Sequence, residues 1–252
     1  MQFIFDLDGT IVFNGKKMST LIADELVALK EYGHDVTFAS ARGIRDMLPV
    51  IDERLHDVRL IGANGAVVWE NQKLRRYVDI DHETFRTVTA ILKDIDATYL
   101  IDGHWDYSIV GDEEHPFLPM INVLQNAKDV SVDELQFISK LLVLECGDPT
   151  PLLDQIPTLN ITRHRYRDEA RFDLTGENVN KRAGFQSVCA EDYIMFGNDL
   201  NDLPLFQKAV HSVMIGDFAP LFPYAKEQIQ LNARTEATIV ETIRSLKEKH
   251  TI

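Results

Sequence analysis

The chain has 252 residues, 45% of them hydrophobic, which suffices for one large core or two modest ones. Its formal charge of −14, from 26 basic and 40 acidic residues, disfavours nucleic acid or an anionic membrane as the main partner. The two cysteines, Cys146 and Cys189, have no CxxC or Cys/His spacing, so a zinc or redox site has no support. No apolar stretch approaches the roughly 20 residues that span a bilayer, and no basic-then-apolar leader opens the chain. A cytoplasmic protein, monomeric or weakly dimeric, is expected.

In chain order, Gln2-Phe3-Ile4-Phe5 reads as a short buried strand that breaks at Asp6-Leu7-Asp8-Gly9-Thr10. Alternation puts Asp6 and Asp8 on one side, where two close carboxylates require something cationic or proton-sharing between them. Mg²⁺ suits such oxygen ligands where phosphate is also bound. Ser19 opens a helical stripe through Leu21, Ile22, Leu26 and Leu29, which Gly33 ends. His34 to Ser40 is a second strand, so the opening is a strand–helix–strand unit of a parallel sheet. A helix over Arg45–Leu55, interrupted by Pro49, precedes a strand at Arg59–Ala63. A hairpin is expected over Ala66–Val78.

The pattern then changes. Residues 81–171 read as an inserted α+β domain, with an amphipathic helix over His82–Ile95. Strands follow at Thr98–Asp102, Tyr107–Val110, Ser139–Glu145, Leu159–Arg163 and Ala170–Leu174. From Asn180 the α/β rhythm returns, with a helix near Lys181–Val188 and a strand at Tyr193–Phe196. Gly197-Asn198-Asp199-Leu200-Asn201-Asp202 closes that strand. A short helix at Leu203–Lys208, a strand at Ala209–Ile215 and a helix at Glu236–Lys249 complete the chain. The expected fold is α/β: a Rossmann-like three-layer core with a mainly parallel sheet, discontinuous over 1–80 and 172–252, carrying the insertion.

The chemistry-bearing residues fall at strand ends of the α/β part. Asp6 suits a carboxylate nucleophile, because an aspartyl phosphate can be hydrolysed, and Asp8 suits the acid and then the base. Mg²⁺ bridges Asp6 and a phosphate oxygen in this reading, with Asn198 and Asp202 available as further ligands. Ser40 and Lys181 hold phosphate oxygens, and Lys181 also offsets the charge of Asp6. In this order on one sheet these residues specify phosphoryl transfer.

The same segments resemble the haloacid dehalogenase (HAD) superfamily of phosphohydrolases. Its DxDGT motif matches residues 6–10 in full. Ser40 in Phe38-Ala39-Ser40-Ala41-Arg42 matches its second motif, Lys181 its third, and Gly197–Asp202 resembles GDxxND. The position and size of the insertion, and Asn64-Gly65-Ala66 before it, look like the type 2 cap of the Cof-like branch. The resemblance implies that Asp8 binds metal through its backbone carbonyl, leaving its carboxyl free for proton transfer. It also places Ala41 and Asn201 against phosphate. One residue departs from the pattern: Asn198 stands where the family often has Asp. Asn198 can still give a carbonyl oxygen, or Asp199 or Asp202 can supply the charge.

In the insertion, His104, Trp105, Tyr107, Arg163, His164, Arg165 and Arg167 are candidates to meet substrate. An exposed basic strand face pairing with Asp168 and Glu169 is the competing reading. The expected activity is Mg²⁺-dependent hydrolysis of small phosphorylated metabolites, sugar phosphates foremost, with nucleotide-type and cofactor phosphates behind. A phosphomutase of the phosphomannomutase type and a non-catalytic phosphate-binding regulator are the alternatives.

Overall fold

The computed structural model describes residues 1–166 and 171–250. Arg167, Asp168, Glu169 and Ala170 lie outside the described residues.

The first part of the chain runs β1 (Gln2–Phe5), α1 (Thr20–Glu31), β2 (Asp35–Ala39), α2 (Ile44–Met47), β3 (Arg59–Gly62), β4 (Val67–Glu70) and β5 (Lys73–Tyr77). The middle runs α3 (His82–Asp94), β6 (Thr98–Asp102), β7 (Tyr107–Val110), β8 (Lys140–Glu145), α4 (Thr150–Gln155), β9 (Ile161–Arg165) and β10 (Phe172–Gly176). The last part runs α5 (Lys181–Gln186), β11 (Tyr193–Gly197), α6 (Leu203–Phe206), β12 (His211–Ile215), β13 (Glu227–Ile229) and α7 (Thr235–Lys249).

The first and last parts share one eight-stranded sheet, ordered β13-β12-β11-β1-β2-β3-β4-β5. It is parallel from β13 to β3 and antiparallel through β4 and β5. The chain winds outward from β1 in one direction through β2 and β3, and in the other through β11 and β12. The β1/β11 boundary is thus a topological switch point, where a crevice opens beyond the strand carboxyl ends.

Alternation along β1 shows the layers. Phe3 and Phe5 pack with Ile22, Leu26, Ile239 and Ile243 of α1 and α7, while Ile4 faces the opposite side with Phe185, Leu205 and Phe206 of α5 and α6. The Ser19 hydroxyl accepts from Ile22 N at 3.4 Å and caps α1.

The middle of the chain forms a five-stranded antiparallel sheet, ordered β7-β6-β8-β10-β9. Tyr99, Ile101, Leu141 and Val143 turn to one face, where Phe85, Val88 and Leu92 of α3 cover them. Leu100, Leu142 and Leu144 turn to the other face. Asp81 caps α3 by accepting from Thr84 N at 2.9 Å.

Two expectations need correction, and one strand adds to them. Phe172–Gly176 pairs with β8 and β9, so it belongs to the second sheet, and the boundary expected at 171/172 falls inside that sheet. The chain returns to the first sheet only after Gly176, whose added Cβ would lie 2.7 Å from Asp79 O, so the two crossings run side by side. The helix expected over 45–55 stops at Met47, and 3₁₀ turns follow at Leu48–Val50 and Glu53–Leu55. Pro49 has no N–H to bond the Arg45 carbonyl, which removes the next helical hydrogen bond. Strand β13 was not expected, being only the edge segment Glu227-Gln228-Ile229. Among the described residues, no helix is long and apolar enough to cross a membrane.

Candidate active site

Parallel pairing of Phe5 with Phe196, and of Phe5 with Phe38, brings the ends of β1, β11 and β2 together. Asp6 leaves β1 buried, with its N–H bonded to Phe196 O at 2.9 Å. The chain then turns back sharply, with Thr10, Ile11 and Val12 N–H groups all donating to Leu7 O. Gly9 sits at φ +80°, and an added Cβ would meet Asn198 Nδ2 at 2.2 Å, so the turn needs glycine twice over.

The Asp6 carboxylate is held on both oxygens. Lys181 Nζ donates to Oδ1 at 2.6 Å, and Thr10 Oγ1 lies 3.0 Å from Oδ2. Lys181 is fully buried at the first position of α5, and it also donates to Asp202 Oδ1 at 2.7 Å. Burial pulls its pKa down, but Asp202 and Asp6 outweigh that and hold the ammonium above its usual value. Burial pushes the Asp6 carboxyl up to about 7 against the pull of Lys181, with Asp202 and Asp8 adding to the rise.

A cavity of about 470 Å³ opens beside these groups, between the two sheets. Asp6, Asp8, Ser40, Ala41, Asn198 and Asn201 line it; Lys181 and Asp202 stand behind it. The Asp202 carboxylate is used up. Besides Lys181 on Oδ1, its Oδ2 accepts from Asn198 N at 2.9 Å and Asp199 N at 3.1 Å. An added Cβ at Gly197 would sit 2.6 Å from Asp202 Oδ2, so the loop is wrapped tightly around this group. Here Asp202 shapes the loop and anchors Lys181, rather than facing the cavity as a ligand.

Asp8 stands at the cavity wall with a charged partner. Its side chain is half exposed, yet Arg42 grips both oxygens, with Nε to Oδ2 and Nη2 to Oδ1, each at 2.7 Å. This two-pronged pair occupies both carboxylate oxygens, so Asp8 can bond another group only when Arg42 moves aside. Sequence reasoning assigns Arg42 no role; the available signal is a basic residue two positions after Ser40 in so acidic a chain. Ser40 Oγ accepts from Arg42 N at 3.2 Å, and Ser40 O accepts from Asn64 N at 3.0 Å. Asn201 Nδ2 donates to Asn64 Oδ1 at 3.0 Å, while Asn64 Nδ2 donates to Asp173 Oδ2 at 2.7 Å. Asn64 therefore links the fourth-motif loop to β10.

The donor set fits a hard divalent cation such as Mg²⁺. Thr10 Oγ1 lies 3.0 Å from Asp6 Oδ2 and 3.3 Å from Asn198 Oδ1, so one buried hydroxyl holds these two cavity-lining side chains side by side. Among the described residues, no three His, Cys, Asp or Glu side chains cluster as a metal site. A cation here would use amide and backbone oxygens and the substrate's own phosphate beside Asp6.

A further network ties the two sheets together, and sequence reasoning missed it. Arg45 of α2 bonds Asp102 of β6, lies 2.9 Å from Asp46 and donates to Trp105 O at 2.8 Å. Lys140 of β8 lies 3.2 Å from Asp102 and donates to Ala41 O at 3.0 Å, bracing the loop after β2. Of the residues expected to meet substrate from the insertion, Trp105 stacks on Trp69 and Tyr107 lies beneath Arg45. His104 packs on Phe137, Arg163 covers Phe172, and buried His164 pairs with Thr175 Oγ1 at 2.8 Å. Arg165 is exposed, and Arg167 lies outside the described residues. Tyr166 and Arg171 line the cavity instead.

A parallel core with an inserted antiparallel domain over a carboxylate-and-lysine site defines a class of phosphoryl-transfer folds. The sequence profile of haloacid dehalogenase-like hydrolases matches residues 3–235, and the chain belongs to that family. It is 26% identical over 243 residues to a Mycoplasma genitalium protein, MG265, whose name proposes a phosphatase; the match covers 82% of this chain and 84% of that one. The fold is similar to that of BT4131, a HAD subclass IIB sugar phosphatase, with TM-score 0.79 and 16% identity over 100% of this chain and 99% of that one. It is also similar to TM0651 from Thermotoga maritima, with TM-score 0.75 and 18% identity over 96% of each chain.

Proposed function

We propose that this chain is a Mg²⁺-dependent phosphatase of small phosphate monoesters, working through an aspartyl phosphate on Asp6. The observation that carries the reading is the Asp6 carboxylate itself. It is buried at the end of β1, backed by Lys181, and opens onto a cavity that also receives Asp8, Ser40 and Asn198. A bound Mg²⁺ would draw charge from the phosphate oxygens and lower the Asp6 pKa. Asp6, Asn198 and the Asp8 carbonyl would hold it.

The Asp6 oxygen attacks phosphorus, and the bond to the leaving oxygen breaks. Asp8, swung from Arg42, gives that oxygen its proton. Ser40 and the amides after it hold the phosphoryl oxygens, and Lys181 favours the ionised form of Asp6 and aims it. Water, deprotonated by Asp8, then attacks phosphorus and frees phosphate and Asp6. The second sheet covers the site and excludes bulk water. A cavity of about 470 Å³ suits one small metabolite rather than a macromolecule.

The test is phosphate release from acetyl phosphate and an aryl phosphate, with Mg²⁺ and with EDTA, in wild type and Asp6→Asn. Loss of turnover in EDTA and in the variant is expected. A folded Asp6→Asn variant that keeps full turnover refutes the nucleophile. Transfer of the phosphoryl group to a second position of a hexose phosphate would mark a mutase instead.

A further inference from the structure

The two ends of the cavity differ in chemistry. The phosphate end is polar, as described. Beyond it, the second sheet presents side chains in matched pairs across β6 and β8. Asp102 stands opposite Lys140, and Leu100 stands opposite Leu142. The first pair lies next to the core and is engaged by it on one side, with Lys140 Nζ 3.2 Å from Asp102 Oδ2 within the pair. Asp102 bonds Arg45, and Lys140 holds Ala41 O at 3.0 Å. Asp46 is occupied too, by Arg45 at 2.9 Å and by Asn122 N, which donates to it at 2.7 Å.

The second pair is apolar and continues into Phe117, Met120 and Ile121, which line the same cavity. Arg171 lies over the Phe117 ring at 5.3 Å, which puts a cation beside an aromatic ring at this end. Met120 is 47% exposed, so apolar surface remains open at the mouth of the cleft.

We propose that the alcohol part of the substrate carries an aromatic or otherwise apolar ring, rather than the hydroxyl-covered carbon chain of a sugar. This rests on the phosphatase reading above and narrows it. A sugar placed here would set hydroxyls against Leu100, Leu142, Phe117 and Ile121. Each hydroxyl buried without a partner costs about tenfold in binding. An apolar ring gains from the same wall, and a flat one can stack on the Phe117–Arg171 pair.

The test compares kcat/KM with Mg²⁺ for benzyl phosphate, glucose 6-phosphate and ribose 5-phosphate. All three carry phosphate on a primary carbon, so leaving-group acidity is nearly matched. Acetyl phosphate serves as the small control. Benzyl phosphate is expected to exceed both sugars by about tenfold or more. In the Met120→Gln/Ile121→Asn variant that ratio is expected to fall by about fivefold or more. Sugars turned over as well as or better than benzyl phosphate would overturn this inference and leave the phosphatase reading standing. A ratio unchanged by the variant would also overturn it. No turnover of any of the three esters or of acetyl phosphate would overturn both.

Discussion

Replacing Arg45 with Met removes the central cation of the network between the sheets. The guanidinium is almost fully buried and meets Asp102, Asp46 and Trp105 O, with the Tyr107 ring at 4.5 Å. Without it, Asp102 keeps the Lys140 ammonium at 3.2 Å, and Asp46 keeps the Asn122 N–H and the more distant charge of Arg42. Breaking one partner of a buried pair costs about 3–5 kcal/mol, because the remaining charge stays out of water. Arg45 belongs to the first sheet's domain, whereas Asp102, Trp105 and Tyr107 belong to the inserted one. Separation of the two domains hydrates Asp102, so the cost falls mainly on the closed arrangement rather than on either fold. At 1.36 kcal/mol per tenfold, kcat/KM is expected to fall about 10²- to 10⁴-fold, while the urea midpoint moves much less. Adding Asp102→Leu removes the stranded carboxylate and is expected to restore part of the loss. The assay is steady-state hydrolysis of acetyl phosphate alongside urea unfolding. A folded Arg45→Met protein within about threefold of wild-type kcat/KM refutes the argument.

Gly9→Ala forces a side chain into a left-handed turn and onto the Asn198 amide, 2.2 Å away. A stability loss of about 1–3 kcal/mol is expected, with turnover needing more Mg²⁺ for half-saturation, read by Mg²⁺ titration; an unchanged titration would contradict the placement of Asn198. Burial pulls the His164 pKa down to about 3, with Lys140 and Lys181 pulling in the same direction. A lowered histidine pKa means that the unfolded chain takes up the proton first. The stability is complete above the ordinary value of 6.5 and is lost as pH falls toward 3, on the order of 4 kcal/mol at its fullest. Asp173, raised to about 6 by burial, acts in the opposite sense between its ordinary 3.8 and 6, so the histidine is isolated by comparison with His164→Gln. The variant's urea midpoint is expected to fall less steeply below pH 6; parallel profiles would refute the assignment.

The strand ends were legible because their signals are local. Phe3-Ile4-Phe5 alternates, Asp6 breaks it, and Gly9 marks a turn that few other residues can make. The same reasoning could offer Asp202 as a ligand from spacing alone, but not that its two oxygens are taken by Lys181 and by the amides of Asn198 and Asp199. The roles of Arg42 and Arg45 are not legible in sequence, because their partners Asp8 and Asp102 lie 34 and 57 residues away. The arginine-rich run near residue 163 offers two readings in sequence, an anion-facing surface or an exposed basic strand face; in the fold Arg163 lies over Phe172, Arg165 is exposed and His164 is buried. Charge in a sequence shows its sign, whereas only the fold shows what has already neutralised it.

The chain has two tryptophans, and they stack on each other with ring centroids 5.3 Å apart. Trp69 belongs to β4 of the first sheet, and Trp105 to the loop between β6 and β7 of the second. The molecule therefore carries its own optical reporter of domain closure. Separating the sheets would part the indoles and wet both of them. Intrinsic emission, followed in a stopped flow without any label, would time the opening that lets substrate in and product out.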